Sequence, residues 1–306
     1  MTLEALHVSK HFPGGVRAVE DVSLVLSPGR IVGLVGESGS GKTTLARMLA
    51  MFHAPTEGEI RLNGRPVRDA RDYHKHVQLI FQDPFSSLNG LRTVGYTIGR
   101  ALRIHSGLRG RKAIEEATAD LLAQVNLAPE YMAKLPHELS GGQRQRVVIA
   151  RALAVGSSVL LADEPISMLD VSIRLDVLNL LAELRDRRGL SILYITHDIA
   201  SARYLCDEIC VMYGGRMVES GPAEEVIQRP RHPYTQLLLD CAPDPSRDLG
   251  VLKEELSYGE PPSLTDPPPG CRFEPRCPHA RPACAREQPP RAEFPTGQWT
   301  DCWLHA

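Results

Sequence analysis

Residues 36–43 read GESGSGKT, a G-x-x-x-x-G-K-[ST] spacing whose chemistry is the cradling of phosphate. Glycines at 36, 39 and 41 let the backbone curl until its N–H groups converge on phosphate oxygens. The start of a following helix adds a dipole favourable to anions. Lys42, one of six lysines in the chain, is placed to reach β- and γ-phosphates, and the Thr43 hydroxyl to ligate Mg²⁺. A second run, VLLADEP, ends in Asp163 and Glu164. Two adjacent carboxylates at the tip of an apolar segment are poorly explained by solubility. Beside a phosphate loop they read as a water-mediated Mg²⁺ partner, Asp163, and a group that orients and polarises an attacking water, Glu164. A third run, LSGGQRQRVVIARAL from Leu139, has Ser140 as the N-cap of a helix beginning near Gly142. That helix offers a second amide-rich positive end suited to a γ-phosphate. The chain's own phosphate loop already takes one side of a nucleotide, so a partner subunit would supply this end from the other.

These groups need a scaffold, and its pattern is legible. Residues 3–26 alternate apolar positions, Ser27-Pro28-Gly29 forms a turn, and IVGLVG follows as a buried central strand. TTLARMLAMF reads as a helix closed by Pro55. Helical patterns cover 96–126 and 143–155, VLLADEP is a short buried strand, and DVLNLLAELRDRRG is a helix ended by Gly189. SILYITHD is a further strand, ASARYLC a helix, and EICVMYGGRMVESG a hairpin turning at Gly214-Gly215. Strands alternating with helices predict an α/β core with a mainly parallel sheet.

Composition bounds the function. In 306 residues, 35 Lys plus Arg against 37 Asp plus Glu leave a net charge of −2, which argues against a nucleic-acid binder held by a concentrated cationic face. No run approaches the ~18 to 20 apolar residues of a membrane-spanning helix. The opening MTLEALHVSKHF has no apolar segment behind a basic start, so work on the cytosolic side is expected. The seven cysteines all lie at or beyond Cys206, and 15 of the 24 prolines fall within 230–306. Two regions with different physics are implied, with a boundary near Arg229. PPSLTDPPPG, from Pro261, reads as a stiff linker of polyproline character.

GESGSGKT, Gln82 in VQLIFQDP, LSGGQ at 139–143, LLADEP, ISMLD at 166–170 and His197 in ITHD follow in the order of ATP-binding cassette (ABC) ATPases, which residues 3–228 resemble. The resemblance implies an α/β P-loop NTPase domain over 1–228, with a RecA-like core, an antiparallel β subdomain and a helical subdomain at about 88–155. It implies two cassettes packed head to tail, with MgATP between one subunit's Gly36, Ser38, Gly39, Ser40, Gly41, Lys42, Thr43 and Thr44 and the other's Ser140, Gly141, Gly142 and Gln143. Carried over, Phe12 would stack on adenine, and Gln82 would approach Mg²⁺ and the attacking water. His197 would contact the γ-phosphate, and Asp170 would link the two sites. Ile166 and Met168 depart from the family, which usually has Thr and Ala there.

The chain has one cassette, no long coiled-coil insertion and no basic surface run, which sets it apart from translation- and repair-type members. IFQDPFSSLN resembles the peptide-importer branch, with Gly90 where its members usually have Pro. RPRHPYTQLLL at 229–239 and GCRFEPRCPHARPAC at 270–284 resemble the C-terminal extension of oligopeptide and dipeptide importer ATPases, a branch shared with nickel and some sugar importers. That implies a second, different ATPase subunit, two transmembrane permease subunits, an extracytoplasmic solute-binding protein acting indirectly, and a peripheral place on the cytoplasmic side of the inner membrane. The rival is an ATP-dependent accessory module of a soluble enzyme complex. In the small, irregular extension over 229–306, Cys271, Cys277, Cys284 and Cys302 are spaced C-x5-C-x6-C-x17-C, a poor fit to the C-x2-4-C pairs of structural zinc. Four thiolates from an irregular segment suit a [4Fe–4S] cluster, and the resemblance implies one; zinc and uncoordinated thiols stay open. Bound metal would supply much of the extension's order. Cys206, Cys210 and Cys241 are expected to be buried, ordinary thiols.

Overall fold

The structure, a computed structural model, describes residues 1–241 and 262–306. Its strands in chain order are β1 (Leu3–Phe12), β2 (Val16–Leu26), β3 (Ile31–Val35), β4 (Glu57–Leu62), β5 (Arg65–Pro66), β6 (Val77–Ile80), β7 (Val159–Asp163), β8 (Ser191–Thr196), β9 (Glu208–Tyr213), β10 (Arg216–Pro222), β11 (Arg291–Glu293) and β12 (Trp299–Asp301). The chain divides into two compact units. One gathers Met1–Glu4, Val25–Ile31 and Arg61–Ile195; the other gathers Ala5–Leu24, Val32–Ile60 and Thr196–Ala306.

In the first unit β6, β7 and β8 lie side by side and parallel, in register from Val77↔Val159 to Ile80↔Ala162 and from Val159↔Ser191 to Asp163↔Ile195. Every residue of β7 is buried, as befits a parallel strand covered on both faces. The pattern over 96–126 predicts one helical stretch, and the structure has two helices, Val94–His105 and Arg111–Gln124. Between them Gly107 and Gly110 take φ +70° and +91°, a left-handed backbone that cannot propagate a helix. Both helices pack on Gly141–Ala154, which buries Val147, Val148, Ile149 and Leu153. The helix Val171–Arg188 stops at Gly189, whose left-handed backbone lets its amide donate to the Arg185 carbonyl at 2.8 Å. Among the described residues no helix is long and apolar enough to cross a membrane.

In the second unit β1 stands between β2 and β4. β3 is wholly buried and pairs in parallel with β9, from Val32↔Glu208 to Val35↔Val211. β9 and β10 form the hairpin expected at Gly214-Gly215. The C-terminal extension does more than hang from it: β12 pairs antiparallel with β10 and β11 with β12. Upstream, Arg17 donates its amide to the Leu264 carbonyl at 2.8 Å and Val16 bridges Thr265, so the proline-rich stretch from Pro262 onward is laid against β2. Pro261, where that stretch begins, lies outside the described residues.

Bound metal is therefore not the extension's sole source of order. A ring cluster joins Tyr213, Tyr234 and Phe273, the closest pair 4.4 Å apart. Below it, a register shift between Met217 and Glu219 in β10 turns Glu219 inward, a re-aiming that bulges allow. Its carboxylate, fully buried, accepts from the Arg231 and His232 amides at 2.8 and 2.9 Å and from Gln298 Nε2 at 2.7 Å. Burial pushes its pKa up. Cys206 and Cys210 are buried as expected, and burial raises the Cys210 thiol to about 11. Cys241 is a correction: it is exposed, because it caps the C-terminus of Pro233–Asp240 and its amide, not its thiol, makes the local bond.

Glu219→Ala would strand two backbone amides and a side-chain amide in the interior. It should lower stability by about 3 kcal/mol, read as a fall in the urea midpoint, whereas Glu219→Gln, which keeps an acceptor oxygen, should lose less.

Candidate functional site

In the second unit the loop after β3 opens the helix Lys42–Leu49. Gly39 and Gly41 hold φ +79° and +104°, values that L side chains rarely take. Gly36 needs its missing Cβ for another reason: an added carbon would overlap the Met212 carbonyl. The loop is braced from inside and outside. Lys42, only 5% exposed, donates Nζ to the Gly36 and Glu37 carbonyls, both at 2.7 Å, and to Ser40 Oγ at 3.4 Å. Gly215 donates its amide to the Ser40 carbonyl at 2.9 Å. Thr43 is exposed and Thr44 half-buried, with Ser38 exposed at the loop's crest. A glycine loop so held at a helix start can present main-chain amides to an anion. Phe12, at the end of β1, meets the His53 ring edge-on at 5.6 Å, and His197 stands exposed just past β8.

The first unit carries the carboxylates. Asp163 ends β7 and is buried. Glu164 follows with φ +47°, a left-handed backbone for a residue with a side chain, of the kind that clusters at functional sites. It is fixed by its amide donating to the Ile195 carbonyl at 2.9 Å and by Ser167 donating twice to its carbonyl, at 3.2 Å from the amide and 3.0 Å from Oγ. Gln82, just past β6, donates Nε2 to Glu164 Oε2 at 3.1 Å. Two residues distant in sequence, both singled out for their chemistry, thus touch.

Ser140 caps the helix Gly141–Ala154 in a reciprocal box: its Oγ accepts from the Gln143 amide at 3.3 Å, and its own amide donates to Gln143 Oε1 at 2.9 Å. Gly142 would clash with Ile173 if it bore a Cβ, and Gly141 lies against Leu169. The 166–170 loop therefore packs against the first turn of this helix. Ile166 and Leu169 are buried there, while Met168 is 59% exposed and Asp170 is exposed at the start of Val171–Arg188.

Sequence reasoning missed the residues that hold these pieces. Arg144 donates Nε and Nη2 to the Leu139 carbonyl at 3.0 and 2.6 Å and stacks over Phe85, 3.4 Å from its centroid. Arg151 donates to the Ser87 carbonyl, and Tyr131 accepts from Gln143 Nε2 at 2.9 Å. The RQR run beside LSGGQ was the available signal for Arg144. In the second unit, Tyr234 Oη accepts from the Glu37 amide at 2.8 Å, and Arg276 grips the Glu37 carboxylate at 2.8 and 2.9 Å. No local pattern marks either.

Cys271, Cys277, Cys284 and Cys302 line one cavity, with Phe273 and Trp303 in its wall. Burial pushes the Cys271 thiol up to about 11 and raises Cys277 and Cys302 as well. Four sulfurs facing one space suit a soft metal group in donor type and number. Their side chains are not drawn into a coordination shell: among the described residues no group of three or more His, Cys, Asp or Glu has metal-holding geometry.

Gly36→Ala should abolish measurable nucleoside triphosphate binding, because the Met212 carbonyl it meets is backbone and cannot turn aside; equilibrium titration of the folded variant checks this.

Residues 19–167 match the model of the ABC transporter family, and residues 218–284 that of the oligopeptide/dipeptide transporter C-terminal region. A probable peptide ABC transporter ATP-binding protein of Sinorhizobium fredii is 42% identical, over 95% of this chain and 83% of its own length. An oligopeptide transport ATP-binding protein of Bacillus subtilis is 39% identical over 99% of this chain and 97% of its own. Among solved structures, part of an ABC transporter complex from Clostridium perfringens aligns with a TM-score of 0.68 at 25% identity, covering 74% of this chain and 90% of that one. A dimeric ATP-binding cassette in a post-hydrolysis state, bound to ADP and Pi, aligns at 0.65 and 28%, covering 72% and 98%. With its ordered motifs and full-length relatives, the chain belongs to the ABC transporter family of ATP-binding proteins and carries the C-terminal region of the oligopeptide/dipeptide transporters.

Proposed function

We propose that this ABC-type ATPase energises a membrane importer of di- or oligopeptides from its cytoplasmic side. The observation that carries the reading is the presence, in one chain, of the cassette and the oligopeptide/dipeptide transporter C-terminal region, aligned along 95% of its length to a peptide ABC transporter ATP-binding protein. Residues 1–228 form the nucleotide-binding domain and 229–306 the extension. The chain works beside a second, different ATPase subunit and two transmembrane permease subunits, which receive peptide from an extracytoplasmic solute-binding protein.

The roles follow from the chemistry. Gly36, Ser38, Gly39, Ser40 and Gly41 offer amides to the triphosphate. Lys42 trades its two loop carbonyls for phosphate oxygens, Thr44 joins the loop's nucleotide contacts, and Phe12 stacks on adenine. Mg²⁺ when bound neutralises charge on the β- and γ-phosphates, held by the Thr43 hydroxyl with Gln82 and Asp163 as its further partners. Glu164, oriented by Gln82, polarises the attacking water, and His197 steadies the γ-phosphate. The partner's triphosphate meets the capped turn of Ser140, Gly141, Gly142 and Gln143, with Asp170 joining the two sites. ATP binding closes the pair; hydrolysis reopens it. Residues 82–89, anchored to the capped helix by Arg144 and Arg151, pass the closure on to the permease. Cys271, Cys277, Cys284 and Cys302 hold a [4Fe–4S] cluster, which when bound adds a staple to the extension.

Glu164→Gln should keep ATP affinity and lose at least about 10²-fold in turnover, as removal of a water-orienting group does; unchanged hydrolysis in the assembled complex refutes the role. Anaerobic purification should give brown protein with about four irons per chain, and stoichiometric zinc without visible absorbance would dispose of the cluster.

A further inference from the structure

Glu37 occupies a position that the phosphate-loop spacing leaves free to vary, yet each of its polar groups is spoken for. Its carbonyl accepts from Lys42 Nζ at 2.7 Å, its amide donates to Tyr234 Oη at 2.8 Å, and its two carboxylate oxygens take Arg276 Nη1 and Nη2 at 2.8 and 2.9 Å. Two of those three holds come from beyond residue 229. Arg276 is confined as well: its side chain is 8% exposed, against 26% for Glu37, and Nη1 also donates to Tyr213 Oη at 3.1 Å. A two-pronged, charge-assisted pair of this kind fixes orientation as well as distance.

We propose that Arg276 is a positioning residue for the phosphate loop: through Glu37 it sets the loop backbone in the conformation that receives nucleotide, so the C-terminal extension tunes ATP affinity from within the same chain. The geometry favours this over a mere fastening of the extension. Fastening is already provided by β12 on β10 and by Glu219, whereas Arg276 ends on a loop residue whose carbonyl also binds Lys42. Its neighbour Arg272 acts in the same sense, donating to the Gly214 carbonyl and to Glu20, next to the Gly215 amide that holds Ser40. Arg272 and Arg276 both lie between Cys271 and Cys277, so the segment bounded by two cavity thiols is also the segment that steadies the loop.

The inference rests on the reading of Gly36–Thr43 as the nucleotide site, and the test separates the two. Calorimetry of MgADP on the full-length chain, with KM and kcat for MgATP in the assembled transporter, should show Arg276→Ala raising Kd and KM about tenfold with kcat within about twofold of wild type. Arg276→Lys should fall between. Glu37→Gln should reproduce the loss, and the double variant should be no worse than the weaker single, as expected when one interaction is removed twice. Arg291→Ala, which breaks an extension ion pair with Asp301 at 3.0 Å, should leave Kd unchanged. Unaltered affinity in folded Arg276→Ala, additive losses in the double variant, or an equal loss in Arg291→Ala would overturn the proposal. If Arg276→Ala does not fold, wild-type affinity in Glu37→Gln overturns it alone. Lys42→Ala binding as tightly as wild type would instead bring down the nucleotide-site reading, and this inference with it.

Discussion

A lysine ammonium buried in a glycine loop must be surrounded by oxygen, because an unpaired interior cation is far too unfavourable to survive. Lys42 solves this with the loop's own carbonyls at Gly36 and Glu37. The loop and its cation therefore define one another: the carbonyls of Gly36 and Glu37 turn inward to meet the charge. Each glycine has a distinct part in this. Gly39 and Gly41 supply backbone angles, and Gly36 supplies the absence of a side chain where the Met212 carbonyl passes. The surrounding structure exists to keep that arrangement from relaxing. The Gly215 amide, the Tyr234 hydroxyl and the Arg276 guanidinium all bear on a stretch four residues long.

The other half of the chemistry rests on a backbone held away from its preferred angles. Glu164 stays left-handed at a cost of roughly 1 to 3 kcal/mol, sustained by Ile195 and Ser167. What the strain secures is direction, since the carboxylate leaves the strand axis and meets Gln82. Gln82 is in turn followed by a segment that Arg144 and Arg151 tie to the Ser140-capped helix. A displacement of that helix is thereby linked mechanically to the residue that touches Glu164.

Features with local causes were legible in the sequence. The Ser140 box, the Gly189 stop, the Gly214-Gly215 hairpin and the all-buried β7 each follow from residues within a few positions of one another. The helix break at 106–110 was missed because helix-forming residues lie on both sides of it, and only Gly107 and Gly110 betray the interruption. The resemblance set Gln82 and Glu164 about the same water, but their direct contact was not read, since nothing in either segment names the other. The grip of Arg276 on Glu37 spans 239 positions, and no composition or spacing argument reaches that far. The exposed Cys241 shows the same limit: thiols prefer interiors in general, but a helix end decides the particular case.

The pairing of β12 with β10 has an implication for the life of the molecule before it is complete. A hairpin strand whose outer edge is filled by residues made long after it spends synthesis with its amides and carbonyls open to any passing strand. β10 is nearly all buried once paired, so during that interval it is both apolar and unzipped. Chaperone retention, or early engagement by another subunit, becomes most valuable in the seconds before Trp299 arrives.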